Sequence, residues 1–397
     1  MDVAAHDSSS FRVNTGAALA AFRAQFPALK RVAWLSTAGV APGARGVLDA
    51  VARAHEEWEN GTFDWRAWEA DADVARGRFA ARIGAPPASI ALVSTLADAA
   101  ATVARAVARH ATAAHARSRV VVPATEFRSN LFPWLALREC GFEVVPIPAD
   151  ADGLVRTDAI LAAITPGVVL VAVSDVQSAT GHRIDARAVA ERCRAVGARS
   201  FFNLTQSLGV LRFTVADVGG DFVAAHSYKW LVAPRGAAFL YIHPDRWSEM
   251  TPLAPNWKNV EDPYAELYGE PYALAADARR VDASLGWFSW VGARAALELL
   301  DSVDSGLLEA HALRLAADFR SGARELGYDV APTECPSQLV SLAVGTADAA
   351  VELERGLRER GVVTSARGRR IRFGFHGFND GADNELALDC LKRLRHD

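Results

Sequence analysis

Lys229 stands between two short apolar runs, DFVAAHS and GAAFLYI, that are typical of buried strands. A lysine at the carboxyl end of a strand can form a Schiff base with an aldehyde. A single lysine in such a place is more often a solvated loop charge. The chemical interpretation therefore depends on which residues stand at the neighbouring strand ends, because ligands of open α/β sheets bind there.

Three other predicted strands also end in residues that could hold a ligand. The run SIALVST leads into a helix, and the backbone N–H groups at such a helix start can bind a phosphate. RVVVPATE is followed by Phe127, an aromatic ring that could cover a flat ligand, and SFF is followed by the amides Asn203 and Gln206. DFVAAHS itself ends in His226 and Ser227 and leads into Tyr228 beside the lysine. The residues at the predicted phosphate site are Thr95, Leu96 and Ala97.

A phosphate site, an aromatic cover, polar groups and a lysine together match the needs of pyridoxal phosphate. Taken singly, each has an ordinary interpretation: Thr95 as a helix cap, Phe127 as a core residue, and the amides as turn residues. Their combination and their order along the chain predict a site for this cofactor.

The overall composition excludes several other classes of protein. The 397 residues carry a net charge of -4 without a basic block, so nucleic acid is not an expected partner. No basic and apolar leader opens the chain, and no run approaches the roughly 18 apolar residues of a membrane span, which predicts a cytoplasmic protein without membrane contact. Four scattered cysteines predict neither a disulfide framework nor a metal site.

The alternation of apolar runs with alanine-rich helical segments from residue 89 onward predicts an α/β fold. We expect a three-layer αβα large domain over residues 31–285, with a mostly parallel sheet that turns antiparallel where DFVAAHS and GAAFLYI follow each other directly. The pattern then changes to long helices and short strands, which predicts a smaller α+β domain over residues 286–397. Residues 1–30 are predicted to pack on that smaller domain.

Several motifs in this order resemble the class V aminotransferase-like group of fold-type I pyridoxal phosphate enzymes, from about residue 30 to the end of the chain. This group includes cysteine desulfurases, kynureninases and isopenicillin N epimerase-like proteins. The motifs indicate the fold more specifically than they indicate the reaction. They are TEFRSNLFPW, SDVQSATG, TQSLG, HSYKWLVAPRG and RIRFGFHGFND.

The resemblance implies a role for each candidate residue. Lys229 would bind the cofactor and shuttle protons at the substrate carbon, and Phe127 would stack on the pyridine ring. Gln206 would lie near the cofactor's phenolic oxygen, with Gln177 close by. Arg372 would bind the carboxylate of an amino-acid substrate. The phosphate would be held by Thr95, Leu96, Ala97, His226 and Tyr228.

The resemblance also implies a homodimer, because Ser284 matches a threonine that family members send into the neighbouring subunit's phosphate site. Asn203 departs from the family, which has an aspartate there beside the pyridine nitrogen. A neutral amide cannot stabilise a protonated ring by charge, so we expect a reaction that relies less on the cofactor as an electron sink; a shifted register or reduced activity are the other interpretations. Phe127 in place of a histidine, and Cys335 in place of a mobile small-domain cysteine, disfavour persulfide transfer.

Several reactions stay open at this point. The expected function is lyase-type chemistry on an amino acid or cysteine conjugate, by β-elimination or carbon–sulfur cleavage, or else decarboxylation or oxidative deamination, within the biosynthesis of a natural product. An aminotransferase or an epimerase of the same family is the alternative. A non-catalytic homologue that binds a ligand or a partner is the alternative from another class, although such a protein would have no chemical need for Lys229.

Overall fold

The computed structural model describes residues 8–110 and 118–395. Over this part of the chain, the helices are α1 (Ser8–Ala24), α2 (Arg45–Glu59), α3 (Trp65–Arg82), α4 (Leu96–His110), α5 (Arg128–Leu135), α6 (Thr157–Ala163), α7 (Ala186–Val196), α8 (Val215–Val218), α9 (Trp287–Asp301), α10 (Ser305–Glu325), α11 (Ala347–Glu359) and α12 (Gly381–Leu394). None of these described helices has the length and apolar character needed to cross a membrane.

The strands form a large sheet, a small sheet and one short parallel pair. Their bounds are β1 (Ala33–Trp34), β2 (Ile90–Val93), β3 (Arg119–Pro123), β4 (Glu143–Ile147), β5 (Val168–Ser174), β6 (Arg199–Asn203), β7 (Phe222–His226), β8 (Ala238–Ile242), β9 (Asp329–Val330), β10 (Leu339–Ala343), β11 (Val362–Val363), β12 (Ser365–Arg367) and β13 (Arg370–Gly374).

The large sheet has seven strands in the order β2-β8-β7-β6-β5-β3-β4. Strand β8 runs antiparallel to both of its neighbours, and it follows β7 directly, as the short connection predicted. Parallel strands need helical crossovers, and these helices cover the sheet. The α/β fold class, with its mostly parallel sheet and smaller C-terminal unit, is confirmed.

Alternating apolar side chains bury both faces of this sheet. In β6, Phe202 joins one core cluster and Phe201 joins the other, and in β8 Phe239 and Leu240 divide in the same way. Full burial of each such side chain contributes roughly 1.5–3 kcal/mol. Because successive residues of a strand face opposite layers, the strands are anchored from both sides, and their polar ends are fixed at one edge.

The C-terminal part of the chain builds a four-stranded antiparallel sheet in the order β12-β13-β10-β9. Residues from the start of the chain contact this part: Arg23 of α1 pairs with Asp383, and β1 pairs with β11. The predicted division at residue 286 stays a prediction. Helix α9, which begins one residue after that boundary, packs against α2 and α3, and Trp290 lies in the core of the large domain.

The loop that carries Lys229 is held in place by a close backbone approach. Gly209, the last residue of TQSLG, has a φ of 115°, and a Cβ there would overlap the carbonyl oxygen of Trp230. Val232, three residues after Lys229, has a φ of 51°, which is unusual for a β-branched residue. The TQSLG segment and the lysine loop therefore determine each other's position.

We expect Gly209→Ala to displace this loop and lower the free energy of unfolding by about 3 kcal/mol, from left-handed backbone strain and overlap with Trp230. Gly141→Ala is the matched control, because Gly141 also has a positive φ of 85° but nothing within 4 Å of its Cβ position. Its expected cost is about 1 kcal/mol. Urea unfolding measures both. Equal losses in the two variants would contradict the role given to the Trp230 contact.

Candidate active site

Lys229 lies in the connection between β7 and β8 and is 7% exposed. Its Nζ is 5.7 Å from the ring centroid of Phe127 and 5.5 Å from that of Tyr228. Within the described residues, no carboxylate forms an ion pair with it. Burial, together with the positive charges of Arg372 and Arg367, lowers the pKa of Lys229 to about 7. Much of this amine is therefore neutral and nucleophilic near neutral pH.

Phe127 has the exposure expected of a ring that covers a ligand. It is the residue before α5 and its side chain is 52% exposed, although it follows the buried strand β3. Its ring faces the lysine amine. The sequence prediction that Phe127 and Lys229 meet at one site agrees with this distance.

The end of β2 and the start of α4 form a polar cradle. Thr95 Oγ1 accepts a hydrogen bond from the backbone N–H of Asp98 at 3.1 Å, which caps the helix. The first N–H groups of a helix, here those of Leu96 and Ala97, have no partner within the helix and carry the positive end of its dipole. These N–H groups suit a phosphate.

His226 adds an unsatisfied buried nitrogen to the site. Its Nε2 has no hydrogen-bond partner in the described structure, while its ring packs edge-on against Tyr228 at 4.5 Å. Burial and the charges of Lys229 and Arg235 lower the pKa of His226 to about 4, so the imidazole is neutral and can donate one N–H. Burial raises the pKa of the Tyr228 hydroxyl, which therefore also stays a neutral donor. The donors present fit a phosphate.

The amides Asn203, at the end of β6, and Gln206, just after it, form hydrogen bonds within the protein. Asn203 Nδ2 donates to Ser174 Oγ at 2.9 Å, and its Oδ1 accepts from the N–H of Thr205 at 3.0 Å. Gln206 Nε2 donates to Ser178 Oγ at 2.9 Å, and its Oε1 accepts from Trp230 Nε1 at 2.9 Å. Gln206 thus links TQSLG to the lysine loop. Its role beside the cofactor stays a prediction.

Gln177 holds a turn. Its Nε2 donates to the carbonyl of Thr125 at 2.5 Å, and its Oε1 accepts from the N–H groups of Ala179 and Thr180 at 2.6 and 2.9 Å. These bonds tie the SDVQSATG segment to the turn that ends at Phe127. The observed role of Gln177 is to position these segments, and direct contact with a cofactor stays a prediction.

Arg372 is a buried cation of the small sheet, only 1% exposed. Its Nε and Nη2 donate to Ser365 Oγ at 3.1 and 2.8 Å, and its Nη1 donates to the Ser178 carbonyl at 2.7 Å. Within the described residues no carboxylate pairs with it. Burial and the charge of Arg367 lower its pKa to about 9, so it stays protonated at neutral pH.

Ser284 follows Asp282 and Ala283, two residues that are hydrogen-bonded to strand β2. Asp282 accepts from the N–H of Leu92 at 2.8 Å and pairs with Arg76 at 2.7 Å, and Ala283 donates to the Leu92 carbonyl. This fixes the segment beside the end of β2, near the phosphate cradle. Whether Ser284 serves a neighbouring subunit stays a prediction.

Three residues of this region escaped the sequence prediction. Glu126 and Ser174 bond to each other and, through Ser174, to Asn203. Arg367 lies two residues after Ser365 on β12, and therefore on the face of Arg372. The signal available for Arg367 was its spacing of two residues from Ser365, but the sequence analysis predicted no strand there. For the other two there was none, because the Ser174–Asn203 contact depends on the register of β5 and β6, and the Glu126–Ser174 contact depends on how the turn after β3 packs against the end of β5.

A comparison with known families identifies the chain. The model of the Aminotransferase class-V family matches residues 34–373. The chain belongs to the class V aminotransferase family. The match includes every candidate site residue named above, from Thr95 to Arg372. Pyridoxal phosphate as the cofactor and an enzyme of the lyase or aminotransferase type, both predicted from the motifs, are confirmed at the level of the family.

The chain is also similar to individual proteins. The uncharacterized aminotransferase YcbU of Bacillus subtilis is 26% identical over 369 residues, which cover 93% of this chain and 96% of that one. Among solved structures, the apo cysteine desulfurase of Thermococcus onnurineus has a TM-score of 0.82 at 19% identity, covering 94% and 97% of the two chains. The cystine C-S lyase C-DES, in complex with its product cysteine persulfide, has a TM-score of 0.81 at 19% identity, covering 93% and 99%. The two structural likenesses show the fold.

The unpaired burial of Lys229 predicts a pH-dependent stability in protein freed of cofactor. Between about pH 7 and the ordinary lysine pKa of 10.5, the unfolded chain binds more protons than the folded one. The unfavourable contribution of Lys229 is therefore complete below pH 7 and is lost as the pH rises toward 10.5.

We expect Lys229→Met to be more stable than the wild type at pH 6.5, by on the order of 3 kcal/mol, and this gain to shrink by pH 9.5. Lys30→Met, at an exposed lysine, is the control. Urea unfolding at the two pH values measures the difference. A gain from Lys229→Met that is the same at both pH values would contradict the depressed pKa.

Proposed function

We propose that this chain is a lyase that cleaves a bond at the β carbon of an amino acid, with a carbon–sulfur bond of a cysteine conjugate as the preferred target. The observation that carries the proposal is that the Lys229 amine and the Arg372 guanidinium are both buried and that, among the described residues, neither forms an ion pair with a carboxylate. Arg372 and Gln206 both donate to the Ser178 hydroxyl, and Gln206 also accepts from the indole of Trp230, the residue after Lys229. These bonds bring the two groups close together. Together they match an amino-acid substrate, whose carboxylate needs a cation and whose α carbon needs a base.

Each residue has a stated task in this proposal. Arg372 binds the substrate carboxylate with its guanidinium fork. The neutral amine of Lys229 would take the proton from the α carbon. Phe127 would cover one face of the cofactor ring, and His226 with the start of α4 would hold the phosphate. Bound pyridoxal phosphate supplies the aldehyde and the conjugated ring that accepts electron density from the α carbon.

The neutral amide of Asn203 supports cleavage at the β carbon. In β-elimination the leaving group departs from the β carbon with an electron pair. The reaction therefore needs little stabilisation of negative charge by a partner at the cofactor's ring nitrogen. Transamination makes the opposite demand, because the ring must hold the electrons until a proton returns elsewhere. Cys335 is half-buried and burial raises its thiol pKa, which disfavours it as an acceptor of sulfur. The cystine C-S lyase activity of C-DES, a neighbour in fold, agrees with this choice.

Transamination is the second candidate, because the relative that matches 93% of this chain is named an aminotransferase. The two reactions differ in their products. β-Elimination releases a thiol, pyruvate and ammonia from a cysteine conjugate, whereas transamination consumes an oxo acid and releases no ammonia.

We also propose a homodimer in which Ser284 reaches the neighbouring site. Several large side chains are exposed, which supports a surface covered by a second copy; they are Trp58 of α2, Phe132 of α5, and Tyr268 and Tyr272 of the long loop before α9. Location in the cytoplasm and a place in natural-product biosynthesis remain proposals from the sequence.

We expect the enzyme loaded with pyridoxal phosphate to convert S-alkyl cysteines or cystine into pyruvate and ammonia, and Lys229→Ala to lose this activity by at least about 10³-fold. Coupled assays for pyruvate and for ammonia measure the two products. The control is wild-type enzyme with alanine, which has no β leaving group. Production of a new amino acid from an added oxo acid, without ammonia, would establish transamination and overturn the lyase proposal.

We expect Arg372→Lys to raise KM for the amino acid by about tenfold or more, because an ammonium cannot replace the bidentate fork. Arg320→Lys is the matched control, since Arg320 is also a partly buried arginine that donates to backbone carbonyls of the small domain. Steady-state kinetics with the responsive substrate measure both. An unchanged KM in Arg372→Lys would contradict carboxylate binding by this residue.

A further inference from the structure

The buried carboxylate of Glu126 is linked to Asn203 through the hydroxyl group of Ser174. Glu126, in the turn before α5, accepts from both the N–H and the hydroxyl of Ser174, each at 2.6 Å. Asn130 Nδ2 donates to the same carboxylate at 3.0 Å. No described lysine or arginine forms an ion pair with Glu126. Burial raises the pKa of Glu126, whereas these donors, together with a backbone hydrogen bond at Phe127, lower it. With donors on both of its oxygens, the carboxylate is placed to accept the Ser174 hydroxyl proton.

The directions of these hydrogen bonds follow from the groups that can only donate. The Thr205 N–H must donate, so the atom of residue 203 that faces it is Oδ1. The amide nitrogen of Asn203 therefore faces Ser174 and donates to its oxygen at 2.9 Å. A serine hydroxyl has a single proton, and here it goes to Glu126. The chain of donation runs from Asn203 through Ser174 to Glu126.

Strand pairing holds this chain of three residues in place. Ser174 ends β5, Asn203 ends β6, and the two are direct partners in the register of the parallel pair. Glu126 precedes Phe127, whose ring faces Lys229. The same turn thus supplies both the aromatic cover of the site and the carboxylate behind Asn203.

We propose that Glu126 is a positioning residue that requires an amide at position 203. Its carboxylate takes the one hydroxyl proton of Ser174, so residue 203 must donate to Ser174. A carboxylate at position 203 could only accept a hydrogen bond, and the Ser174 hydroxyl would have no second proton to donate to it. The buried acid of this sheet edge is therefore Glu126, and the group that would face the cofactor from position 203 is a neutral amide. Only this last consequence rests on the proposed function.

The substitutions that test the proposal have opposite effects on the hydrogen-bond chain. In Asn203→Asp, two carboxylates compete for the Ser174 proton. In Glu126→Gln, the new amide oxygen must accept from the Ser174 N–H, so the new amide nitrogen faces the Ser174 hydroxyl. The hydroxyl proton must then point toward Asn203, whose amide nitrogen also donates, so two donors face each other. In the double variant, the amide introduced at position 126 donates to Ser174, and Ser174 donates to the carboxylate introduced at position 203. Asn130 then turns its amide, at the cost of a 3.4 Å contact from Trp134.

We expect each single variant to lower the Tm of the protein freed of cofactor by about 2 °C or more, and the double variant to lie closer to the wild type than either single variant. The control is Glu126→Gln combined with Asn384→Asp. That pair restores the same net charge, but it uses a buried amide of α12 that donates to the Leu315 carbonyl. We expect its losses to be additive.

A second measurement follows cofactor binding. We expect the Kd for pyridoxal phosphate, from absorption titration, to rise about tenfold in each single variant and to recover at least in part in the double variant. The Tm cycle needs neither cofactor nor catalysis, so its failure is distinct from a failure of the proposed lyase activity. Additive Tm losses in the cycle of positions 126 and 203 would overturn the proposal.

If a variant does not fold, the yield of soluble protein replaces the Tm as the measurement. If Asn203→Asp gives no soluble protein, recovery of folded protein in the double variant is the same rescue and supports the proposal. If the double variant is also insoluble, or if Asn203→Asp is as stable as the wild type, the proposal is wrong.

Discussion

The buried amine of Lys229 is the constraint to which the rest of the site conforms. Burying an ammonium without a carboxylate partner is unfavourable. Burial therefore lowers the pKa of the Lys229 amine, and much of the amine is neutral. Such a group persists only where the surrounding backbone fixes it. Gly209 allows the TQSLG loop to touch the backbone beside the lysine, and Gln206 bonds to the indole of Trp230. The amine is therefore held ready for an aldehyde rather than paired with an acid.

Charge is distributed unevenly around this amine. The cations Arg372 and Arg367 of the small sheet contribute to the lowered pKa of this amine, whereas the carboxylate of Glu126 accepts from Ser174, which in turn accepts from Asn203. In the proposed function, the anionic substrate would bind beside these cations. This chain thus has an amide where the family has an aspartate, and it keeps a buried acid, Glu126, two hydrogen bonds from that amide.

The sequence predicted those parts of the site that depend on local pattern. Apolar runs defined the strands, and the residues after them, such as Phe127 and Lys229, could be placed at one edge because parallel strands share it. Side-chain pairing could not be predicted. The partnership of Ser174 with Asn203 depends on strand register, and the engagement of Gln177 with a backbone carbonyl depends on how two loops pack. Helix α9 likewise joins the large core through α2 and α3, which its own periodicity does not indicate.

The most direct test of the account is to locate the covalent bond between chain and cofactor. The chain has only four lysines, Lys30, Lys229, Lys258 and Lys392, and buried Lys258 is already paired with Glu69. Protein loaded with pyridoxal phosphate would be reduced with borohydride, digested, and mapped by mass spectrometry. The account predicts a pyridoxyl group on Lys229 at close to one per chain. Labelling of another lysine in its place, or none in folded protein, would contradict it.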